Sequence, residues 1–468
     1  MKKYSLLLFA LMLALSAMAF GTDDVKMVAF PGGKCYMVRL LLNDKSGTPY
    51  SLSHPEAFLS EKAIMRRKAE GLPIDSTDLP VSPNYLLQLK AQGVDIVCKS
   101  KWNNSVVVLG KSLNALKSLA DLPFVRSEIK VWTSPDSLSQ PTRRLNYHTE
   151  FNRWDTVPQS NYGITEEQIK QINGMALHRA GFTGKGMTIA VLDGGFMNAD
   201  KIPSFQSIKI AGTADFVYPH SKDIYREMEH GTKVLSAMGV NMPGTFMGTA
   251  PDATYWLIRC ENEQTETLAE EDYWAAAVEF ADSVGVDVIN SSLGFHAFDE
   301  KEMDHQYREL DGRTALISRT ASMLANKGII LVNSAGNDGM GAWKKINFPC
   351  DALDILVVGS VSPNGVNAAF SAVGPTADGR IKPDVMALGS PTAVVSGRGT
   401  VIHDMGTSFS APLVCGMVAC LWQALHWKNA KEIIDLVRKS GSNSQYPDNI
   451  FGYGIPDFGK AFLMGKQN

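Results

Sequence analysis

Residues 188–196 read Thr-Ile-Ala-Val-Leu-Asp-Gly-Gly-Phe, a short apolar run that ends on a carboxylate followed by two glycines. The run has the length and β-branched content of a buried strand, and the glycines mark the turn that leaves it. Further runs of this kind follow at 254–260 (TYWLIRC), 287–293 (DVINSSL), 329–334 (IILVNS) and 355–361 (ILVVGSV). Between them lie helical patterns that begin near His230 and span 270–284 and 315–326. Strands alternating with helices predict an α/β fold, a parallel sheet covered by helices on both faces. Ligands of such sheets bind beyond the carboxyl ends of the strands. Asp193, Ser291-Ser292 and Asn337 all sit just past predicted strand ends.

Four short islands then occur in a fixed order: Asp193 after its strand, His230 in His-Gly-Thr, Asn337 in Ser-Ala-Gly-Asn, and Ser408 in Gly-Thr-Ser-Phe-Ser-Ala-Pro. Each alone has an ordinary structural explanation, and their joint order carries the reading. A serine hydroxyl is a poor nucleophile until a base takes its proton, a role open to His230. The imidazole in turn needs a buried carboxylate to fix its tautomer and balance its charge, a role open to Asp193. The tetrahedral oxyanion needs prearranged donors, for which the Asn337 amide and the Ser408 N–H are the candidates. Ser408 precedes Ala411-Pro412 and an apolar stretch to Leu425, which predicts a helix with proline in its first turn and the serine at its N-terminus. Ser410 is the alternative nucleophile.

With the linking segments EHGTKVLSAMG, GTAPDATYWLIR, DVINSSLG, ILVNSAGND and KPDVMALG in the same order, the chain resembles the subtilisin-like serine proteases over roughly residues 160 to 462. The resemblance selects Ser408 as nucleophile and implies peptide-bond hydrolysis without a required cofactor. It also implies that Ser292-Leu293-Gly294 and Ser334-Ala335-Gly336 form the edges on which an extended substrate adds as a β-strand. Family members often bind structural calcium, but no ligand set can be placed here, and no metal site is assigned. One departure is visible: many members carry Ser or Thr after the catalytic Asp, where this chain has Gly194 and Gly195. Phe295 after Gly294, and a 339–347 loop carrying Trp343 and two lysines, point to an unusual specificity pocket.

The chain has 468 residues, 45% of them hydrophobic, enough for a large core and more than one domain, and its formal charge of −3 gives no reason to expect a nucleic-acid partner. Lys2 and Lys3, an apolar run over 6–15 and Ala17-Met18-Ala19 predict a cleaved secretory signal at 1–19, and hence an exported protein, periplasmic or released. No later segment reads as a membrane span once the signal is removed. Export permits disulfides; of the six cysteines, Cys415 and Cys420 read as core residues, while the pairing of Cys260 with Cys350 stays open.

After a short segment at 20–34, residues 35–132 have a rhythm of their own: strand 35–42, helix 82–93, a hairpin of 95–100 with 105–110, helix 112–122 and strand 124–132. This predicts a small α+β, ferredoxin-like domain that resembles the inhibitory propeptides of the same proteases, with 43–81 as an insertion. The resemblance implies that this domain is an intramolecular inhibitor, as against a permanent accessory domain. Residues 133–161, rich in Ser, Pro, Asn and Gln around Arg143-Arg144, read as a linker with the maturation site, ahead of a peptidase domain at 162–468. Acidic residues at Glu261, Glu263, Glu266, Glu270, Glu271 and Asp272 read as a solvated loop and helix start.

The reading is a monomeric, secreted serine endopeptidase made as a preproprotein and acting on proteins or peptides. The alternatives are a catalytically silent peptide-binding protein on the same fold, or a narrowly specific processing peptidase or aminopeptidase.

Overall fold

The computed structural model describes residues 25–141, 160–221 and 223–467. The expected signal segment and the Arg143-Arg144 pair lie outside the described residues. The main sheet has seven strands, β7 (Thr188–Asp193), β8 (Lys209–Asp215), β11 (Thr254–Arg259), β12 (Val288–Ser291), β13 (Ile330–Ser334), β14 (Leu356–Val361) and β15 (Val385–Leu388), in the spatial order β15-β14-β13-β12-β7-β11-β8. Every pairing is parallel, as the alternation predicts. The chain builds outward from β7 to β8 and β11 on one side, then crosses to β12 on the other. Asp193 therefore ends the strand where the winding reverses, the place where open α/β sheets leave a crevice.

Alternate residues of the central strands enter different cores. Ile189, Val191, Val332 and Val358 meet the helices His230–Gly239, Thr407–Ala424 and Ala430–Ser440. Ala190, Leu192, Leu331 and Val357 meet the helix Ala269–Ser283, through Tyr273, Trp274 and Val278. Burial on both faces is why these strands read as continuous apolar runs. Thr407–Ala424 is long and apolar enough to cross a membrane, contrary to the sequence expectation, yet 94% of it is buried inside the protein as a core helix.

The N-terminal domain has an antiparallel sheet of β2 (Tyr36–Leu42), β3 (Asp95–Ser100), β4 (Ser105–Gly110) and β5 (Val125–Thr133), ordered β3-β4-β2-β5, with helices Pro83–Ala91 and Leu113–Lys117. One face, with Val38, Leu40, Val106 and Val108, packs with residues of these helices, Leu89 and Leu116. The other, with Met37, Val107 and Val131, shares a core with Tyr273 and Trp274 of the large domain. An added ladder joins β1 (Val25–Ala29) to β6 (Ser137–Pro141), so part of the expected linker is a strand. Two further antiparallel pairs are β9 (Asn241–Met242) with β10 (Phe246–Met247), and β16 (Thr392–Val395) with β17 (Val401–Asp404).

Polar contacts reinforce the domain contact. Arg39 donates through Nε and Nη2 to both Asp272 oxygens at 2.7–2.9 Å and to the Leu268 carbonyl at 3.0 Å. The insertion 43–81 supplies the helix Glu61–Ala69, whose buried Arg66 and Arg67 both pair with Asp282; Arg67 also meets Asp78, which Lys327 reaches from the large domain. Glu279 accepts from Ser100 Oγ and from the N–H groups of Lys101 and Trp102.

The acidic cluster is thus not a solvated surface throughout: Glu270, Glu271 and Asp272 are buried because β2 covers the start of their helix. Glu270 is held by the N–H groups of Asn262 and Thr267. The Cys260–Cys350 disulfide left open by the sequence is not formed. All six cysteines are free, buried thiols, and Cys350 Sγ is spent on the Ser334 carbonyl at 3.0 Å.

Candidate active site

Asp193, wholly buried, takes the Gly194 N–H on Oδ1 at 2.8 Å. A Cβ at Gly195 would collide with the Glu227 carbonyl, so that glycine is required by close backbone approach, whereas one at Gly194 would meet the movable end of the Met228 side chain. His230 begins its helix, and Nδ1–H donates to Asp193 Oδ2 at 2.9 Å and Oδ1 at 3.1 Å. The following Gly231 lets the helix close on the strand: its N–H reaches the Gly195 carbonyl at 3.1 Å, and a Cβ there would meet Asp193 Cβ at 2.9 Å. Thr232 ties its hydroxyl to the Met197 carbonyl at 2.8 Å. The His-Gly-Thr island is therefore a docking device for one imidazole.

Burial of His230 opposes protonation, but the Asp193 charge and hydrogen bond outweigh it, and the imidazole is pushed up to about 9. Glu261, just beyond the end of β11, adds to that field. Burial and then Asp193 raise its own carboxyl to about 8.

Ser408 lies in the first turn of Thr407–Ala424, after Gly406 at φ +154°. Pro412 falls inside this helix, not in its first turn as expected. It stands four residues after Ser408 and cannot donate to the Ser408 carbonyl. Ser292 supplies the missing donor, Oγ to Ser408 O at 2.9 Å, and Ser408 Oγ donates in return to the Ser292 carbonyl at 3.4 Å. Among the described residues no hydrogen bond joins Ser408 to His230, whose ring centroid is 5.7 Å from that of Phe409. Catalytic contacts of this kind tighten when substrate is bound. Ser410 is wholly buried, its hydroxyl against Gly389 and without a partner, which leaves Ser408 as the serine at the crevice.

Asn337 Oδ1 accepts from the Thr407 N–H and the Thr407 hydroxyl, both at 3.0 Å. Pinning the amide oxygen turns Nδ2 the other way, as the donor an oxyanion would need. The Thr407 hydroxyl also accepts the Gly336 N–H at 3.2 Å, so this residue links the nucleophile's helix to the Ser334-Ala335-Gly336 edge. Sequence reading passed over Thr407 and the Ser292 hydroxyl, although both lie in segments it quoted. The other edge, Ser292-Leu293-Gly294, follows β12 directly, and Asn333 Nδ2 stitches the two by donating to Leu293 O at 3.0 Å. Among the described residues no group of three or more His, Cys, Asp or Glu side chains is arranged to hold a metal ion.

The family profile described as the Subtilase family matches residues 184–454, and that of the Peptidase S8 propeptide domain, Bacteroidota, matches 37–149. Subtilisin NAT of Bacillus subtilis subsp. natto is 29% identical over 291 residues, covering 61% of this chain and 68% of its own. Human membrane-bound transcription factor site-1 protease is 25% identical over 323 residues, covering 66% of this chain and 28% of its own. Among solved structures, the epidermin leader peptide processing serine protease of Staphylococcus aureus superposes with a TM-score of 0.64 at 15% identity, over 93% of this chain and 99% of that one. The MycP3 protease of the type VII secretion system gives 0.51 at 21%, over 65% and 90%. At those identities the two structures speak to the fold alone.

Proposed function

We propose, from the premise that this chain belongs to the Subtilase family of serine peptidases and carries a propeptide domain, that it is an exported endopeptidase acting through an acyl-enzyme on Ser408. The observation that carries the reading is the two-oxygen grip of buried Asp193 on His230 Nδ1 at the strand crossover. With Nδ1 committed, Nε2 of the neutral imidazole, the form that His230 gains as pH rises toward its raised value of about 9, is left to take the Ser408 proton as Oγ bonds to the substrate carbonyl carbon. The oxyanion is met by Asn337 Nδ2 and the Ser408 N–H. His230 then protonates the leaving amine, the C–N bond breaks, and water repeats the sequence to release the acid and restore Ser408. These steps draw on side chains and backbone alone.

The N-terminal domain fits the role of an inhibitor that stays docked until the linker is cut, and the first 19 residues that of an export signal. A mixed peptide library tests the reading. Internal cleavage after linker trimming is expected. Stepwise loss of N-terminal residues would make the protein an aminopeptidase, and no cleavage at all would make it a binding protein.

A further inference from the structure

The two cleft edges leave β12 and β13 as neighbours, paired at Ser291 and Asn333, and an extended substrate adding between them, as the reading above requires, would turn a side chain into the gap they flank. That gap is already partly filled. Asn347 lies beneath both edges: a Cβ on Gly294 would meet Asn347 Cβ at 2.9 Å, and one on Gly336 would meet Asn347 Nδ2 at 2.9 Å and Cγ at 3.0 Å. The Asn347 side chain therefore reaches from one edge to the other.

It is also held there. Its N–H donates to the Ala335 carbonyl at 3.2 Å, its Nδ2 to Asp338 Oδ2 at 2.9 Å, and the next residue, Phe348, is bridged to Phe295 by two backbone hydrogen bonds of 2.9 and 3.0 Å. Asn347 is only 7% exposed, and its Oδ1 is buried with no partner. A long apolar side chain entering the gap would need to displace this amide and break its bond to Asp338, leaving a donor unpaired, which is costly. A short side chain does not.

Resting on the serine-peptidase reading above, we infer that Asn347 is a specificity-determining residue that makes the pocket for the residue on the acyl side of the cleaved bond, P1, shallow and polar. The preferred substrates are then peptides with a short P1 residue of alanine or serine size.

The test uses linker-processed protein and internally quenched peptides that differ only at P1: alanine, serine, leucine or phenylalanine. Each misfitting methylene is worth about 10-fold or more in kcat/KM, so alanine or serine should exceed phenylalanine by at least ~10²-fold. In Asn347→Gly the phenylalanine-to-alanine ratio should rise by at least ~10-fold. A wild-type preference for leucine or phenylalanine overturns the inference, and that result stands even if the variant does not fold. An unchanged ratio in a folded Asn347→Gly protein also overturns it. If no peptide is cleaved and no fluorophosphonate adduct forms, the serine-peptidase reading has failed instead.

Discussion

Replacing Arg39 by alanine should release the N-terminal domain by a predictable amount. Its guanidinium makes three contacts with Asp272 at 2.7–2.9 Å and one with the Leu268 carbonyl at 3.0 Å, with both charged side chains almost fully buried. Removing one partner of a buried ion pair costs about 3–5 kcal/mol, because the charge left behind has neither water nor a counter-ion. At about 1.4 kcal/mol per decade, the fragment left after linker cleavage should bind the peptidase domain roughly 10²- to 4 × 10³-fold more weakly. Burial already pushes the Asp272 carboxyl up and Arg39 opposes it. Without Arg39 the acid takes up a proton more readily, so the loss should shrink as pH falls. The assay is inhibition by the bound fragment as the linker-cut protein is diluted, for Arg39→Ala, Asp272→Ala and the double variant. The double variant should be no weaker than the worse single, since it leaves no orphan charge. Single losses below about 5-fold, or a double loss equal to the product of the singles, would refute the reasoning.

Asn337→Ala should lower kcat by roughly 10²–10³-fold with little change in KM, as expected for loss of one oxyanion donor, and steady-state kinetics on a short-P1 peptide checks this. The His230 imidazole, raised to about 9, should titrate near that pH by NMR in Ser408→Ala protein, and should fall in Asp193→Asn, where burial is opposed by Glu261 but no longer by Asp193. Because this folded value lies above the unfolded 6.5, the pair's contribution to stability is complete below pH 6.5 and is lost as pH rises through 9; thermal melts across that window should show the loss, and Asp193→Asn should flatten it. Ser292→Ala orphans the Ser408 carbonyl and should destabilise by about 1–3 kcal/mol in denaturant melts, with Pro412→Ala recovering part by restoring a helical N–H.

Much of this was legible in the chain. The alternation of apolar runs and helices foretold the parallel sheet, and two of the islands, Asp193 and His230, are joined at its carboxyl edge, where Gly195 and Gly231 allow the close approach. Strand β8 was missed because it is a largely exposed edge, Lys-Ile-Ala-Gly-Thr-Ala-Asp, with no apolar run to mark it. The buried charges were misread for a different reason. Glu270, Glu271 and Asp272 look like a solvated helix start until a second domain covers them, and Arg39, the partner of Asp272, is more than 200 residues away in sequence. A hint lay in Ser-Val-Val-Val-Leu-Gly of β4, an unbroken apolar run within a small antiparallel sheet, which is affordable only if both faces are buried. Asn347 carries no local signal, since its role comes from contacts with glycines 53 and 11 residues before it.

The most direct test of the central claim is the site of covalent labelling by a fluorophosphonate on linker-processed protein. One adduct, mapped to Ser408 and absent from Ser408→Ala, is the predicted result. A processed, folded protein that takes no adduct, or takes it on another residue, would contradict the account.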